Sequence, residues 1–133
     1  MGIIFVIYIH PEAEPMPSLT LQRVRDMGKK AGLVINPSTS IESIRPLYPL
    51  IDYLMIMTVN PGFCGQLYLP WIEQAIEERK PLAFPIVIDG GADKAVMTRL
   101  VAKGVEGFVL GRLILFDQEE KDYTKLMRWM RTL

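Results

Sequence analysis

The chain has little of what marks out many specialised proteins: one cysteine (Cys64), one histidine (His10), no net charge and no apolar run long enough to cross a bilayer. A single cysteine cannot close an internal disulfide, so the fold is expected to stand without covalent staples, and nothing points to an oxidising compartment. Fifteen basic residues offset fifteen acidic ones without large blocks of one sign. That balance argues against nucleic acid or an anionic membrane as the main partner, so any anion must be caught locally. The apolar run 3–9 has no basic flank ahead of it and no small-residue cleavage site after it. It is too short to span a membrane, and its β-branched and aromatic content suits a buried strand. The cytoplasm is the expected location. His10 has no cysteine or histidine partner at ligand spacing and reads as a structural residue, because a closed metal site needs three or four convergent ligands. Cys64 has no basic neighbour in sequence to lower its pKa and reads as a turn residue, not a nucleophile.

What is present is a core and a rhythm. Half of the 133 residues are hydrophobic, enough for one folded domain, expected over residues 1–133. The run 3–9 ends at His10-Pro11, and Leu21, Val24 and Met27 then recur at helical spacing over 18–27. Gly28 closes that helix, and a second apolar strand, 31–35, stops at Asn36-Pro37. Ser40 is placed to cap a helix over 41–47 with Glu42 in its first turn, and Pro46 and Pro49 should shorten or bend it. A third strand over 53–59 precedes a glycine turn and a helix over 69–78 with Pro70 at its start. The fourth strand, 84–88, ends in Asp89-Gly90-Gly91 and leads into a helix over 94–103 that Gly104 stops. A short fifth strand, 108–110, turns at Gly111-Arg112, and 122–130 supplies the last helix. Strand then helix recurs five times, at roughly 27 residues per unit, the length of βα units in a parallel sheet. The strands read as continuous apolar runs, which predicts burial on both faces and an α/β class.

In parallel α/β architectures, sites form beyond the carboxyl ends of the strands. Those ends carry His10, Asn36, the segment 58–66, Asp89 to Gly91, and Gly111-Arg112. The segment 57–66, MTVNPGFCGQ, leaves a strand and turns through Pro61, Gly62 and Gly65. Residues without a Cβ adopt the conformations that converge several N–H groups on one oxyanion. Asp89, at the next strand end, supplies a carboxylate. Met55 and Met57 alternate with Leu54 and Ile56, so one pair should face helices and the other inward, with core packing the expected role of the methionines. Arg112 directly follows Gly111 and either clamps a phosphate or points to solvent. The charged runs Glu77-Glu78-Arg79-Lys80 and Asp117, Glu119, Glu120 and Asp122 read as solvated surface, the second also favouring a helix N-terminus.

These residues resemble, in order, the later strand ends of the ribulose-phosphate 3-epimerase family, including its members acting on allulose 6-phosphate. HPEA at 10–13 is similar to the fourth strand end, GLVINPST at 32–39 to the fifth, and VNPGFCGQ at 59–66 to the sixth. Asp89-Gly90-Gly91 is similar to the seventh, and Gly111 with Leu113, Ile114 and Phe116 to the eighth. The resemblance implies a (β/α)8 barrel, here an incomplete one of about five units. It implies an isomerase of the pentose phosphate pathway that inverts C3 of a ketose phosphate, ribulose 5-phosphate to xylulose 5-phosphate or allulose 6-phosphate. The reaction would run through an enediolate held on a divalent metal (zinc, iron, manganese or cobalt), with two aspartates working from opposite faces. By the same resemblance Asp89 is one acid/base residue and a metal ligand, and Met57 lines the metal side. Gly62, Phe63, Gly65, Gly90, Gly91 and Gly111, with Arg112, bind the phosphate.

Three departures stand out. Cys64 occupies a position where the family commonly has glycine, so the loop keeps its shape only if that position tolerates a Cβ. Arg112 replaces a small residue. The family's other aspartate, two histidine ligands and a serine come from three earlier strands, which nothing here matches. Three more units would add about 80 residues for a total of about 213, within the range of such barrels. The chain therefore reads as the carboxy-terminal portion of a barrel, expected to be inactive alone. The alternative is a non-catalytic sugar-phosphate-binding or interaction module. Unpaired apolar edges would favour association, and a homo-oligomer is expected, although two copies bring ten strands, not eight.

Overall fold

In the computed structural model of the chain, the described residues are 2–78, 84–111, 115 and 122–133. Strands β1 (Val6–Ile9), β2 (Lys30–Ile35), β3 (Tyr53–Met57), β4 (Ile86–Asp89) and β5 (Gly107–Val109) form one sheet in the order β1-β2-β3-β4-β5. Every neighbouring pair is parallel. The connections carry α1 (Pro17–Asp26), the short α2 (Ile41–Ile44), α3 (Ile72–Glu77) and α4 (Lys94–Ala102), and α5 (Tyr123–Met130) follows β5. Consecutive strands lying side by side, each linked by a helical crossover, are the repeating arrangement of a parallel barrel, and the expected α/β class is borne out.

The helices are placed by the expected patterns with local corrections. Over 41–47 the expected single helix is instead α2 followed by a tighter 3-10 turn, Arg45–Leu50. Pro46 and Pro49 lack the N–H groups that an α-helical ladder would need there. Ser40 has an extended backbone at the cap position, but its side chain makes no capping bond; its carbonyl instead accepts the amide and hydroxyl of Ser43. Side-chain capping occurs at Asp93, whose Oδ1 accepts from the Val96 amide at 2.8 Å, and at Asp122, which accepts from Lys125 at 3.0 Å. The Asp93 cap had no counterpart in the sequence reading.

Burial on both faces, the expected pattern, holds for β2, whereas β3 and β4 alternate between buried and half-buried residues. Leu33, Ile35, Leu54, Ile56 and Ile88 are almost fully buried and pack with Leu21, Ile72, Ile76, Met97 and Leu100 of the helices. Burying such side chains stabilises the fold by about 1.5–3 kcal/mol each. On the opposite face Gly32 and Val34 of the central part of the sheet are buried, but Tyr8, Tyr53, Met55, Met57 and Val87 around them are only half-buried. Among the described residues β1 and β5 do not pair, so the five-stranded sheet is open at both edges. The first expected strand is also shorter: Ile3, Ile4 and Phe5 precede β1 and are 83%, 69% and 56% exposed.

The half-buried face is nevertheless shaped. Register places Gly32 between Tyr8 and Tyr53, and a Cβ on Gly32 would lie 2.3 Å from Cδ1 of Tyr8. The glycine makes room for the ring to lie across the sheet. Gly32→Ala is therefore expected to destabilise the chain by about 1–3 kcal/mol through overpacking. In a Tyr8→Ala background the same substitution should cost much less; chemical denaturation of the four proteins of this cycle measures the coupling.

Candidate functional site

The carboxyl ends of β3 and β4 are locked together by one buried residue. Thr58, fully buried, follows β3 and donates its amide to the Asp89 carbonyl at 2.9 Å. Its hydroxyl lies 3.1 Å from the same carbonyl and also contacts that of Gly90. The Thr58 carbonyl in turn accepts from the Leu69 amide at 2.9 Å, where the loop after β3 returns. A glycine turn therefore starts and finishes on the same residue.

Between these ends lies a pocket of about 330 Å³ whose walls include Met57, Gly62, Phe63, Gly65, Asp89, Gly90, Gly91 and Gly111. Eight of the nine expected site residues are thus brought together; Arg112 lies outside the described residues, as do Leu113, Ile114 and Phe116. Gly90 and Gly91 have φ of +124° and +63°. A Cβ on Gly90 would lie 2.5 Å from Cγ2 of Val59, and one on Gly91 would lie 2.9 Å from the Tyr68 nitrogen. Both conformation and space therefore require glycine where the two turns meet. Cys64 is exposed and lines the pocket, and no non-glycine residue among those described has positive φ, so its Cβ is accommodated without strain.

Asp89 pairs in register with Met57 and with Val109, which places it on the open face at the mouth of the sheet. Burial pushes its carboxyl above the usual carboxylate range, and the charge of His10 pulls it partly back. His10 follows β1 with the same parity as Tyr8, so the chain's one histidine acts electrostatically on the chain's candidate acid/base group. His10 is expected from the sequence to be structural; it does not line the pocket, and its influence on Asp89 is through charge alone. Among the described residues no group of three or more histidine, cysteine, aspartate or glutamate side chains converges to hold a metal. Asp89 offers one ligand, and these residues do not by themselves complete a metal site.

Two supporting contacts had no counterpart in the sequence reading. The Gln66 carboxamide donates to the Asn60 carbonyl and, at 3.2 Å, to that of Phe63, closing the glycine turn on itself. Thr39 accepts from the Asn36 amide at 3.1 Å and bonds the Glu12 carboxylate, joining the loops after β1 and β2. Polar residues in turns give no sequence signal of which partner they meet.

The family model for ribulose-phosphate 3 epimerase matches residues 3–115 of this chain. The chain is similar to the ribulose-phosphate 3-epimerase of Escherichia coli strain K12, 36% identical over 133 residues, covering 96% of this chain and 58% of that protein. It is 31% identical to the enzyme of the same name from Bacillus subtilis strain 168, over 87% of this chain and 57% of that one. The one from Rhodobacter capsulatus is 38% identical over 80% of this chain and 48% of its own length. The chain thus spans between about half and three fifths of these relatives. No helix among the described residues is long and apolar enough to cross a membrane.

Two outcomes follow from this geometry. Because the folded chain binds the Asp89 proton more tightly than the unfolded chain does, this contribution to stability is present at low pH and is lost as pH rises through the raised pKa. Asp89→Asn, which removes the charge, should raise Tm at pH 7 by about 1–3 °C, and thermal melts should show the gain closing as the pH approaches about 4. Thr58→Val should cost about 1–3 kcal/mol, because the part-buried carbonyls of Asp89 and Gly90 lose the hydroxyl partner; urea unfolding measures it.

Proposed function

The chain belongs to the ribulose-phosphate 3-epimerase family, and on that premise we propose that residues 1–133 form the carboxy-terminal, phosphate-binding portion of a sugar-phosphate 3-epimerase. The observation that carries this reading is the single pocket wall shared by the glycines of two strand-end turns and the carboxylate of Asp89. Glycine N–H groups suit a phosphate dianion, and an adjacent carboxylate suits a proton on carbon.

In this reading the phosphate of a ketose phosphate, ribulose 5-phosphate or allulose 6-phosphate, lies against Gly62, Phe63, Gly65, Gly90, Gly91 and Gly111. Anchoring the phosphate presents the sugar carbons toward Met57 and Asp89. Asp89, with its carboxyl raised by burial, takes or returns the C3 proton on one face of the sugar. The proton's loss next to the carbonyl gives an enediolate, and reprotonation from the other face inverts C3. That second acid/base group has no counterpart among the residues facing this pocket. The divalent metal of the family reading would polarise the sugar oxygens, yet its remaining ligands have no counterpart here either. We therefore expect this chain alone to bind the sugar phosphate and not to turn it over.

A second reading, a non-catalytic sugar-phosphate-binding module, is favoured by the same single carboxylate and the lack of a convergent ligand cluster among the described residues. Calorimetry of the chain with ribulose 5-phosphate, together with NMR of C3 proton exchange in heavy water, separates the two. Binding is expected in both. In a barrel restored by fusing the missing strand–helix units, epimerisation and C3 exchange should appear, and Asp89→Asn should lower turnover by about 10²- to 10⁴-fold. Near-normal turnover in that variant would refute the role given to Asp89, and a restored barrel that binds without exchange would favour the binding module.

A further inference from the structure

The pocket is built on loops, and their outer side is fastened by a carboxylate that the proposed chemistry does not use. Glu73 lies in the first turn of α3, with its side chain 16% exposed. Its Oε1 accepts the Tyr68 hydroxyl at 3.0 Å and Nη2 of Arg99 at 3.1 Å. Lys103 Nζ stands 3.8 Å from its Oε2 and also pairs with Glu77. Burial, and then the bond to Glu73, hold the Tyr68 phenol well above its usual range, so it stays a donor at any physiological pH.

These contacts close a circuit through both glycine turns. Tyr68 ends the loop that begins at Thr58, and its backbone nitrogen is the atom that a Cβ on Gly91 would strike. Gly91 leads through the Asp93 cap into α4, and α4 carries Arg99, with Lys103 just past its end, back to Glu73. The first turn is thus tied to the second twice, by backbone contact at the pocket and by the Tyr68–Glu73–Arg99 bonds on the outside. Exposed ion pairs contribute little, but a mostly buried carboxylate with neutral and charged donors on one oxygen fixes geometry.

We propose that Glu73 is a positioning residue, holding the two glycine turns through the Tyr68 hydroxyl and Arg99 guanidinium at the separation that lets their N–H groups converge on one phosphate. This rests on the phosphate-binding reading above. Phosphate itself is expected to touch neither Glu73 nor Tyr68.

Amide hydrogen exchange on the unliganded full chain, paired with titration of inorganic phosphate and ribulose 5-phosphate, tests the proposal. Tyr68→Phe, nearly isosteric and expected to fold, should raise exchange by about 5- to 10-fold at the Leu69 amide, bonded to the Thr58 carbonyl, and at the Val96 amide, bonded to the Asp93 cap, while leaving the amides of β2 and β3 unchanged. It should weaken both ligands by about 3- to 10-fold. Glu73→Leu should do more, and Glu73→Gln, which keeps an acceptor for the phenol, should recover part of the loss. Unchanged loop exchange in Tyr68→Phe, or exchange rising equally in β2 and β3, would overturn the strut. Loosened loops with undiminished phosphate affinity would overturn its positioning role. Failure of the unsubstituted chain to bind either ligand is a separate result: it would overturn the phosphate-binding reading, and the purpose given to Glu73 with it.

Discussion

The junction between β3 and β4 at Thr58 is the constraint on which the rest of the site depends. Parallel strands end with their last carbonyls pointing beyond the sheet, and buried carbonyls must find donors. Thr58 supplies an amide and a hydroxyl to the Asp89–Gly90 end and offers its own carbonyl to Leu69. One residue thereby sets the spacing of two strand ends and fixes where the glycine loop must return. With that spacing fixed, Gly91 has to pass against the Tyr68 backbone, and only a residue without a Cβ does so. The glycines are therefore needed for packing as much as for any ligand.

The unequal sheet faces set the surroundings of Asp89. The helix-facing side has a dense aliphatic core to which residues of all five units contribute. The other side, which in a closed barrel would be the interior, carries half-buried tyrosines, methionines and Asp89. A carboxylate there is partly desolvated, which raises its proton affinity, and only the charge of His10 opposes this. The glycines of two neighbouring strand ends meet on one pocket wall beside that carboxylate.

Rigidity is distributed accordingly. The loop after β3 is braced inside by Gln66, at its return by Thr58, and outside by Tyr68 on Glu73. Such bracing suits a binding loop whose donors must converge before the ligand arrives, because ordering them on binding would cost affinity.

By itself the sequence determined the alternation of strands and helices, the carboxyl-end placement of the glycines, and the identity of Asp89 as the carboxylate among them. Those features are local: periodicity, proline and glycine act over a few residues, and a strand end can be read where an apolar run stops. Alternation also assigns Leu54 and Ile56 to one face of β3 and Met55 and Met57 to the other, but the core packing expected of the methionines is not found: both are half-buried outside the core, and Met57 lines the pocket. The tertiary structure decided what depends on distant partners. That one face of β3 and β4 is only half-buried, that Tyr8 lies over Gly32, that His10 acts on Asp89, and that Glu73 gathers Tyr68 and Arg99 all follow from strand register and helix packing. These join residues from 5 to about 80 positions apart in sequence, and at such separations contacts are chosen by global packing, which no local pattern encodes.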